Sequence, residues 1–246
     1  ALLNFAVHGT CLGASNMKFS ADLMGKTEDS LEKALGGGVA MFINGAEGDV
    51  APKMGGDAGI KFIGETLAAT TAGLWATVTT KSWLEIKGTF VDEKMPKPTF
   101  NGCLPLFGAG SMTLCDIIPL AKNLPLDAFM QKVLPFGALR LGDAVFAALP
   151  GEAITDVGLA VKAQGKQRGF SHTFVVGLAN DFMGYIVTKA EFYNGSYEAQ
   201  ATMYGEGTAK LVIEALTKRL EALKLTPAAG NDAGAAVIDA GGAGDK

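Results

Sequence analysis

The stretch NFAVHGT at residues 4–10 introduces the pattern on which this chain is built. An apolar run typical of a buried strand ends in His8, and Gly9-Thr10 turns the chain away. The chain has only two histidines, so one at a strand end is a candidate metal ligand or general base. A histidine that is only hydrogen-bonded in the core fits the same residues. Because the chain opens inside this strand, we expect a further segment upstream.

Composition indicates a globular chain with a large core. Of 246 residues, 48% are hydrophobic and 19% are charged, and the 33 glycines predict many tight turns. The net charge of -4, without a long Lys/Arg cluster, argues against a nucleic-acid partner. The apolar runs are too short and interrupted to predict a transmembrane helix.

Apolar periodicity predicts alternating strands and helices. We predict strands at residues 2–7, 39–43, 83–91, 136–141, 144–149 and 174–178, and helices at residues 28–35, 57–78, 153–164 and 204–225. Because several strands form hairpin-like pairs, the fold class is α/β or α+β, with mixed β-sheet layers flanked by helices.

Two regions lack this periodicity. Segment 94–135 holds six of the nine prolines and is predicted to run over the surface as one wall of a site. Residues 227–246 are rich in Ala, Gly and Asp and are predicted to be a flexible tail.

The three cysteines are Cys11, Cys103 and Cys115, and no CxxC occurs. Cys103 and Cys115 either pair across a loop or remain, like Cys11, free thiols.

Two more segments place polar residues at strand ends. NGAEGDVAP at residues 44–52 forms either an anion-binding nest, with Asp49 orienting a water or ligand, or a tight turn into the next helix. Glu152 follows Leu149-Pro150-Gly151 as a helix N-terminal charge, a metal ligand or a general base.

The tyrosines and the second histidine are less specific signals. All four tyrosines lie at positions 185 to 204. Such a cluster provides oxyanion donors or anionic metal ligands, or it is simple aromatic packing around a loop. His172 is interpreted as a structural or surface residue. A serine hydrolase has little support, since no Gly-x-Ser-x-Gly elbow occurs.

Taken in order, these segments resemble the neutral (alkaline, non-lysosomal) ceramidase family. The matching stretches are residues 4–10 with 20–22, 42–52, 140–143 running into 149–152, 184–188, and 197–200 through 203–205. The resemblance covers about residues 1–226 and implies the C-terminal portion of a zinc-hydrolase catalytic domain. The family hydrolyses the amide of N-acylsphingosine at a Zn²⁺ ion held by two histidines, a glutamate and a tyrosine.

The resemblance also implies roles for individual residues. His8, Glu152 and Tyr185 correspond to zinc ligands, and Tyr197 corresponds to the tyrosine that hydrogen-bonds the substrate carbonyl. Asp49 is assigned a catalytic role. The predicted substrate-binding residues come from the 42–52 match: Asn44, Gly48 and Ala51. A small amide or lipid is the implied substrate, and the compartment is extracytoplasmic, either periplasmic or secreted.

Two departures from the family pattern shape the hypothesis. The family's first zinc histidine lies upstream of Ala1, so we expect an N-terminal chain or segment of the same precursor to supply it. A homo-oligomer of the processed pair remains open. Ala51 stands where the family's Gly-Asp-Val-Ser-Pro motif has serine, which removes a serine-nucleophile route there and leaves a zinc-water mechanism. The alternative is a catalytically silent binding or structural subunit.

Overall fold

The computed structural model of the chain describes residues 1–105, 110–118, 124–126 and 128–225. Within these ranges the backbone forms strands β1 to β10 and helices α1 to α6. The strands are, in chain order, Leu2–Phe5, Met41–Asn44, Ile86–Lys94, Thr99–Phe100, Leu124–Pro125, Val133–Leu141, Ala144–Ala148, Glu152–Ala153, His172–Val176 and Tyr185–Ile186. The helices are Asp22–Ala34, Gly56–Trp75, Thr155–Gln167, Lys189–Asn194, Tyr197–Gln200 and Thr208–Ala222.

The largest sheet has the strand order β3-β6-β7-β9. β3, β6 and β7 are antiparallel neighbours, whereas β9 runs parallel to β7 because helix α3 carries the chain back between them. On one face, alternate residues such as Phe136 and Val145 are fully buried in a core shared with α3 and α6. The opposite face is also apolar, and Phe90 and Leu139 remain exposed there.

A second sheet pairs β1 with β2 in parallel, and α1 is the crossover between them. Helices α1 and α2 pack against each other and bury two smaller clusters, one around Leu23 and one around Leu31 and Ala68. The glycines at 36–38 all have positive φ, so they end α1 and return the chain to β2 without a steric penalty. This is the stop that the Gly triplet predicts.

Each of the six predicted strands and four predicted helices has a counterpart, and the mixed α+β fold is confirmed. The first helix begins at Asp22, six residues before its predicted start. The buried face there includes Thr27, whose hydroxyl donates to the Leu23 carbonyl, so a polar residue hides the helical period. The prediction that the first strand is buried is wrong, because Leu2 and Phe5 are 47% and 41% exposed.

The sequence analysis missed β8, β10, α4 and α5. Two-residue strands and helices of four or six residues are too short to carry a detectable period. The described parts of segment 94–135 hold β4, a 3₁₀ turn at Leu114–Asp116 and β5. Cys103 and Cys115 form a disulfide, and Cys11 is a buried free thiol. The predicted tail at 227–246 lies outside the described residues.

In the part of the chain that the structure describes, no helix has the length and apolarity needed to cross a bilayer.

Gly158 and Gly73 form a matched pair that tests the packing of α3. A Cβ on Gly158 would lie 2.5 Å from the Ala46 Cβ, whereas a Cβ on Gly73, in α2, would meet nothing within 4 Å. We expect Gly158→Ala to lower the free energy of unfolding by about 1–3 kcal/mol through overpacking. Gly73→Ala should raise it by about 0.5–1 kcal/mol, because alanine favours the helix. Urea denaturation measures both, and equal effects would contradict this packing.

Candidate functional site

The short strands β8 and β10 place two of the predicted zinc ligands side by side. They pair in parallel, and Tyr185 lies directly opposite Glu152. The Glu152 N–H donates to the Gly184 carbonyl (3.1 Å), and the Tyr185 N–H donates to the Ala201 carbonyl (3.1 Å). Gly184 has φ of 81°, and the Ala201 carbonyl occupies the place that its Cβ would need. Backbone hydrogen bonds therefore fix both residues.

His8 follows β1 and is held by the backbone on both sides. The Asn44 side chain accepts from the Val7 N–H (3.2 Å) and donates to the Val7 carbonyl (3.0 Å). The His8 N–H donates to the Val50 carbonyl (2.9 Å). The Asn44 carboxamide thus acts as an extra peptide group that continues the pairing of β1 with β2 up to the histidine.

The side chains of His8, Glu152 and Tyr185 converge although they are distant in sequence. Nε2 of His8 lies 3.2 Å from the Tyr185 Oη and 3.6 Å from the Glu152 Oε2. The side chains of His8 and Glu152 are only 20% and 15% exposed, and Tyr185 is buried. The His8 Nε2 therefore lies within 3.6 Å of an oxygen from each of the other two predicted ligands.

The spacing of these atoms fits a tetrahedral zinc site. Ligands at 2.0–2.1 Å from a tetrahedral ion are about 3.3 Å apart, close to the two observed separations. Within the described ranges, no group of three or more His, Cys, Asp or Glu residues is placed to hold a metal. The candidate set therefore depends on the phenol of Tyr185 as its third donor.

Burial raises the pKa of the Tyr185 phenol, and hydrogen bonding to Glu152 and the charge of Glu152 raise it further. In the metal-free chain this phenol is therefore protonated at neutral pH, and its proton is available for a hydrogen bond within the group of three. A cation held by the same atoms would lower this pKa, because its charge stabilises the phenolate.

Tyr197 lies at the mouth of this group. Its ring centroid is 5.5 Å from that of Tyr185, at an interplanar angle of 78°, and the side chain is 68% exposed. The other two tyrosines serve elsewhere: Tyr193 binds Glu206 at the surface, and the buried Tyr204 donates to the Gln131 carbonyl (2.7 Å). His172 is exposed and stacks on Phe174, as the sequence analysis predicted.

The turn at residues 44–52 holds the other predicted site residues, and its visible contacts are structural. Asp49 accepts from both the N–H and the hydroxyl of Thr155 (2.7 Å each), at the start of α3. The Gly48 N–H donates to the Ala153 carbonyl (2.8 Å), and a Cβ on Gly48 would lie 2.7 Å from the Glu152 carbonyl oxygen. Ala51 is exposed. The catalytic role of Asp49 and the substrate-binding roles of Asn44, Gly48 and Ala51 stay predictions.

The same turn contains Glu47, to which the sequence analysis gave no role. Glu47 is fully buried, and neither carboxylate oxygen has a hydrogen-bond partner within the described residues. A Cβ on Gly177 would lie 2.7 Å from the Glu47 Oε2, so a glycine at 177 leaves room for the carboxylate. Burial raises the pKa of Glu47 to about 8, with a smaller contribution from the charge of Glu152. A carboxylate among small residues, in a turn that follows an apolar strand, was the available signal.

Glu47 predicts a pH dependence for the stability of the metal-free chain. The folded pKa of Glu47 lies above the ordinary value of 4.5. Its contribution to the free energy of unfolding is therefore fully present below pH 4.5 and is lost as the pH rises toward about 8. We expect Glu47→Gln to remove this loss, on the order of a few kcal/mol, so the free energy of unfolding of the variant changes less with pH.

Urea denaturation at pH 5 and pH 8.5 measures this effect, with Glu214→Gln on the exposed face of α6 as the control. If wild type and Glu47→Gln changed in parallel between the two pH values, Glu47 would not be the titrating group.

The chain is similar to known proteins in sequence and in fold. The family model described as neutral/alkaline non-lysosomal ceramidase, N-terminal, matches residues 117–214, which include Glu152, Tyr185 and Tyr197. Neutral ceramidase 1 and neutral ceramidase 2 of Arabidopsis thaliana are each 32% identical to the chain, over 111 and 109 residues. These alignments cover 41% and 40% of the chain and 14% of each relative.

Two solved structures share the fold. The neutral ceramidase from Pseudomonas aeruginosa matches with a TM-score of 0.71, and a ceramidase complexed with C2 matches with a TM-score of 0.68. Both matches have 20% sequence identity and cover 90% of this chain. They cover 44% and 45% of the solved chains, so this chain spans less than half of their length. The chain is thus similar to the neutral/alkaline non-lysosomal ceramidases over residues 117–214 and shares the fold of the two solved ceramidases.

Proposed function

We propose that this chain carries the metal-binding part of a zinc-dependent amidohydrolase that cleaves the amide bond of an N-acyl substrate. The observation that carries the proposal is the convergence of His8, Glu152 and Tyr185, with 3.2 and 3.6 Å between their donor atoms. Catalytic zinc sites keep one coordination position open for water or substrate, and these three donors supply all but one of the proposed protein ligands. Similarity to two relatives named neutral ceramidases supports the reaction class.

Zinc bound by these three donors would lower the pKa of a bound water toward ~7 and polarise the substrate carbonyl. The chain's own residues supply the remaining steps. Tyr185 and Glu152 lie on paired strands, so their side chains are already in place before a metal ion binds. The exposed phenol of Tyr197 donates a hydrogen bond to the substrate carbonyl oxygen, where negative charge develops as water adds. Cleavage of the C–N bond then yields a carboxylic acid and an amine.

We also propose a partner, which is an N-terminal chain or segment of the same precursor that supplies a further zinc histidine. Two observations support it. The solved relatives are more than twice as long as the stretch that this chain matches. One face of the β3-β6-β7-β9 sheet also leaves a cavity of about 540 Å³, lined mostly by apolar side chains including Phe90, Leu139 and Phe146. An apolar face of this kind is normally covered by another layer of the fold.

An extracytoplasmic location is also proposed. The Cys103–Cys115 disulfide supports it, because structural disulfides persist in oxidising compartments. The substrate is proposed as a small amide or lipid, with ceramide as one member of the class. The alternative function is a catalytically silent binding subunit, which Ala51 favours, since it carries no hydroxyl to contact a substrate.

Zinc titration of ligand variants tests the proposal. We expect wild type to bind one zinc ion, measured by competition with a chromogenic chelator. His8→Ala, Glu152→Gln and Tyr185→Phe should each weaken binding by more than the ~10- to 100-fold typical of losing an outer-shell partner. His172→Ala, the other histidine, should bind as wild type does.

Hydrolysis of a fluorogenic N-acyl amide by the zinc-loaded protein, purified with any co-purifying precursor fragment, tests the reaction itself. Zinc binding without hydrolysis by the loaded complex would favour the silent subunit. No stoichiometric zinc, or equal zinc affinity in all three ligand variants, would contradict both the metal site and the reaction.

A further inference from the structure

Ser196, directly before Tyr197, has a backbone conformation that only glycine normally adopts. Its φ is 89° and its ψ is -177°. A non-glycine residue in this region costs on the order of 1–3 kcal/mol and persists only where neighbouring groups hold it. The position of Tyr197 therefore depends on what holds Ser196.

A single carbonyl oxygen holds both ends of helix α5. The Pro105 carbonyl accepts from the Ser196 N–H (3.0 Å) and from the Gln200 Nε2 (3.2 Å). Gly195 lies against the same proline, and a Cβ on it would be 2.6 Å from the Pro105 Cβ. Tyr197 begins this four-residue helix, so Pro105 fixes the segment that carries the phenol.

Pro105 is in turn fixed by the disulfide and by the core. It is two residues from Cys103, which is bonded to Cys115, and it forms an isolated bridge with Thr113. The Cys115 N–H also donates to the Gly102 carbonyl (3.1 Å). Leu104 between them is buried in the main core. The two arms of the disulfide-closed segment, 102–105 and 113–115, are thus tied to each other and to the interior.

We propose that the two disulfide-linked arms, 102–105 and 113–115, position Tyr197, through the Pro105 carbonyl, for its hydrogen bond to the substrate. The catalytic part of this inference rests on the proposed function. Pro105 and Ser196 are positioning residues, since they act through Tyr197. The strained Ser196 backbone aims the phenol beside Tyr185, and the Pro105 carbonyl prevents that strain from relaxing.

Two glycines with nearly equal positive φ provide a matched test. Gly195 and Gly205 have φ of 81° and 80°, but a Cβ on Gly205 would meet nothing within 4 Å. Both alanine variants therefore place a side chain at positive φ, and only Gly195→Ala also pushes against Pro105. The full chain is labelled with 3-fluorotyrosine, and its fluorine NMR signals are assigned with Tyr197→Phe and Tyr204→Phe.

We expect Gly195→Ala to move the Tyr197 signal toward its position in the unfolded chain and to leave the buried Tyr204 signal in place. Gly205→Ala should move the Tyr204 signal and leave that of Tyr197. Two milder variants carry the test if Gly195→Ala fails to fold: Gln200→Ala, which removes one hydrogen bond to Pro105, and Cys103→Ser with Cys115→Ser. Each should move the Tyr197 signal in the same direction. An unchanged Tyr197 signal in all folded variants would overturn the proposal.

Kinetics with the fluorogenic amide separate positioning from catalysis. Because a misplacement of about 1 Å costs on the order of 100-fold, Gly195→Ala should lose most of the kcat that Tyr197→Phe loses, with little change in KM. Gly205→Ala should retain the wild-type kcat. A moved fluorine signal with wild-type kcat would overturn the catalytic part of the proposal. If wild type itself hydrolyses no amide, the proposed function fails, while the fluorine signals still decide whether Pro105 positions Tyr197.

Discussion

The turn at residues 44–52 is the constraint on which the rest of the structure depends. Its backbone and side chains bind the end of β1 through Asn44 and Val50, the strand β8 through Gly48, and the start of α3 through Asp49. The Asn44 carbonyl also accepts from the Gly177 N–H after β9 (3.1 Å). One short turn therefore joins the β1-β2 sheet to the β3-β6-β7-β9 sheet. It also brings His8, which follows β1, next to Glu152 on β8.

The same turn explains why the site combines rigid donors with an unfavourable buried acid. The chain must pass between β8 and β9 so closely that glycines are needed at 48 and 177. Glu47 is carried into this space without a hydrogen-bond partner in the described residues, beside the charge of Glu152. A buried acid of this kind stays protonated at neutral pH in the metal-free chain, which limits the negative charge next to Glu152. The buried acid lowers the free energy of unfolding at high pH, and the same close packing keeps the donors of the site in place.

Sequence reasoning identified the long elements and predicted the donors, and it failed where tertiary contacts decide. The apolar periods of the sheet strands and of α2, α3 and α6 are visible because their packing repeats along the chain. His8, Glu152 and Tyr185 were assigned through the family resemblance, and the structure brings them together. The pairing of β8 with β10, which sets Tyr185 opposite Glu152, involves two residues per strand and leaves no periodic signal. Two further features depend on contacts between distant segments. The Asn44 side chain replaces a peptide group in pairing with β1, and the Pro105 carbonyl accepts hydrogen bonds from both ends of α5.

The central claim is that three donors from distant segments form one cation site. Anomalous X-ray diffraction at the zinc absorption edge, from crystals of the purified protein grown with zinc, tests it most directly. The account predicts one peak about 2.0–2.2 Å from the His8 Nε2, a Glu152 carboxylate oxygen and the Tyr185 Oη. A structure with full zinc occupancy elsewhere and no peak among these three atoms would contradict it.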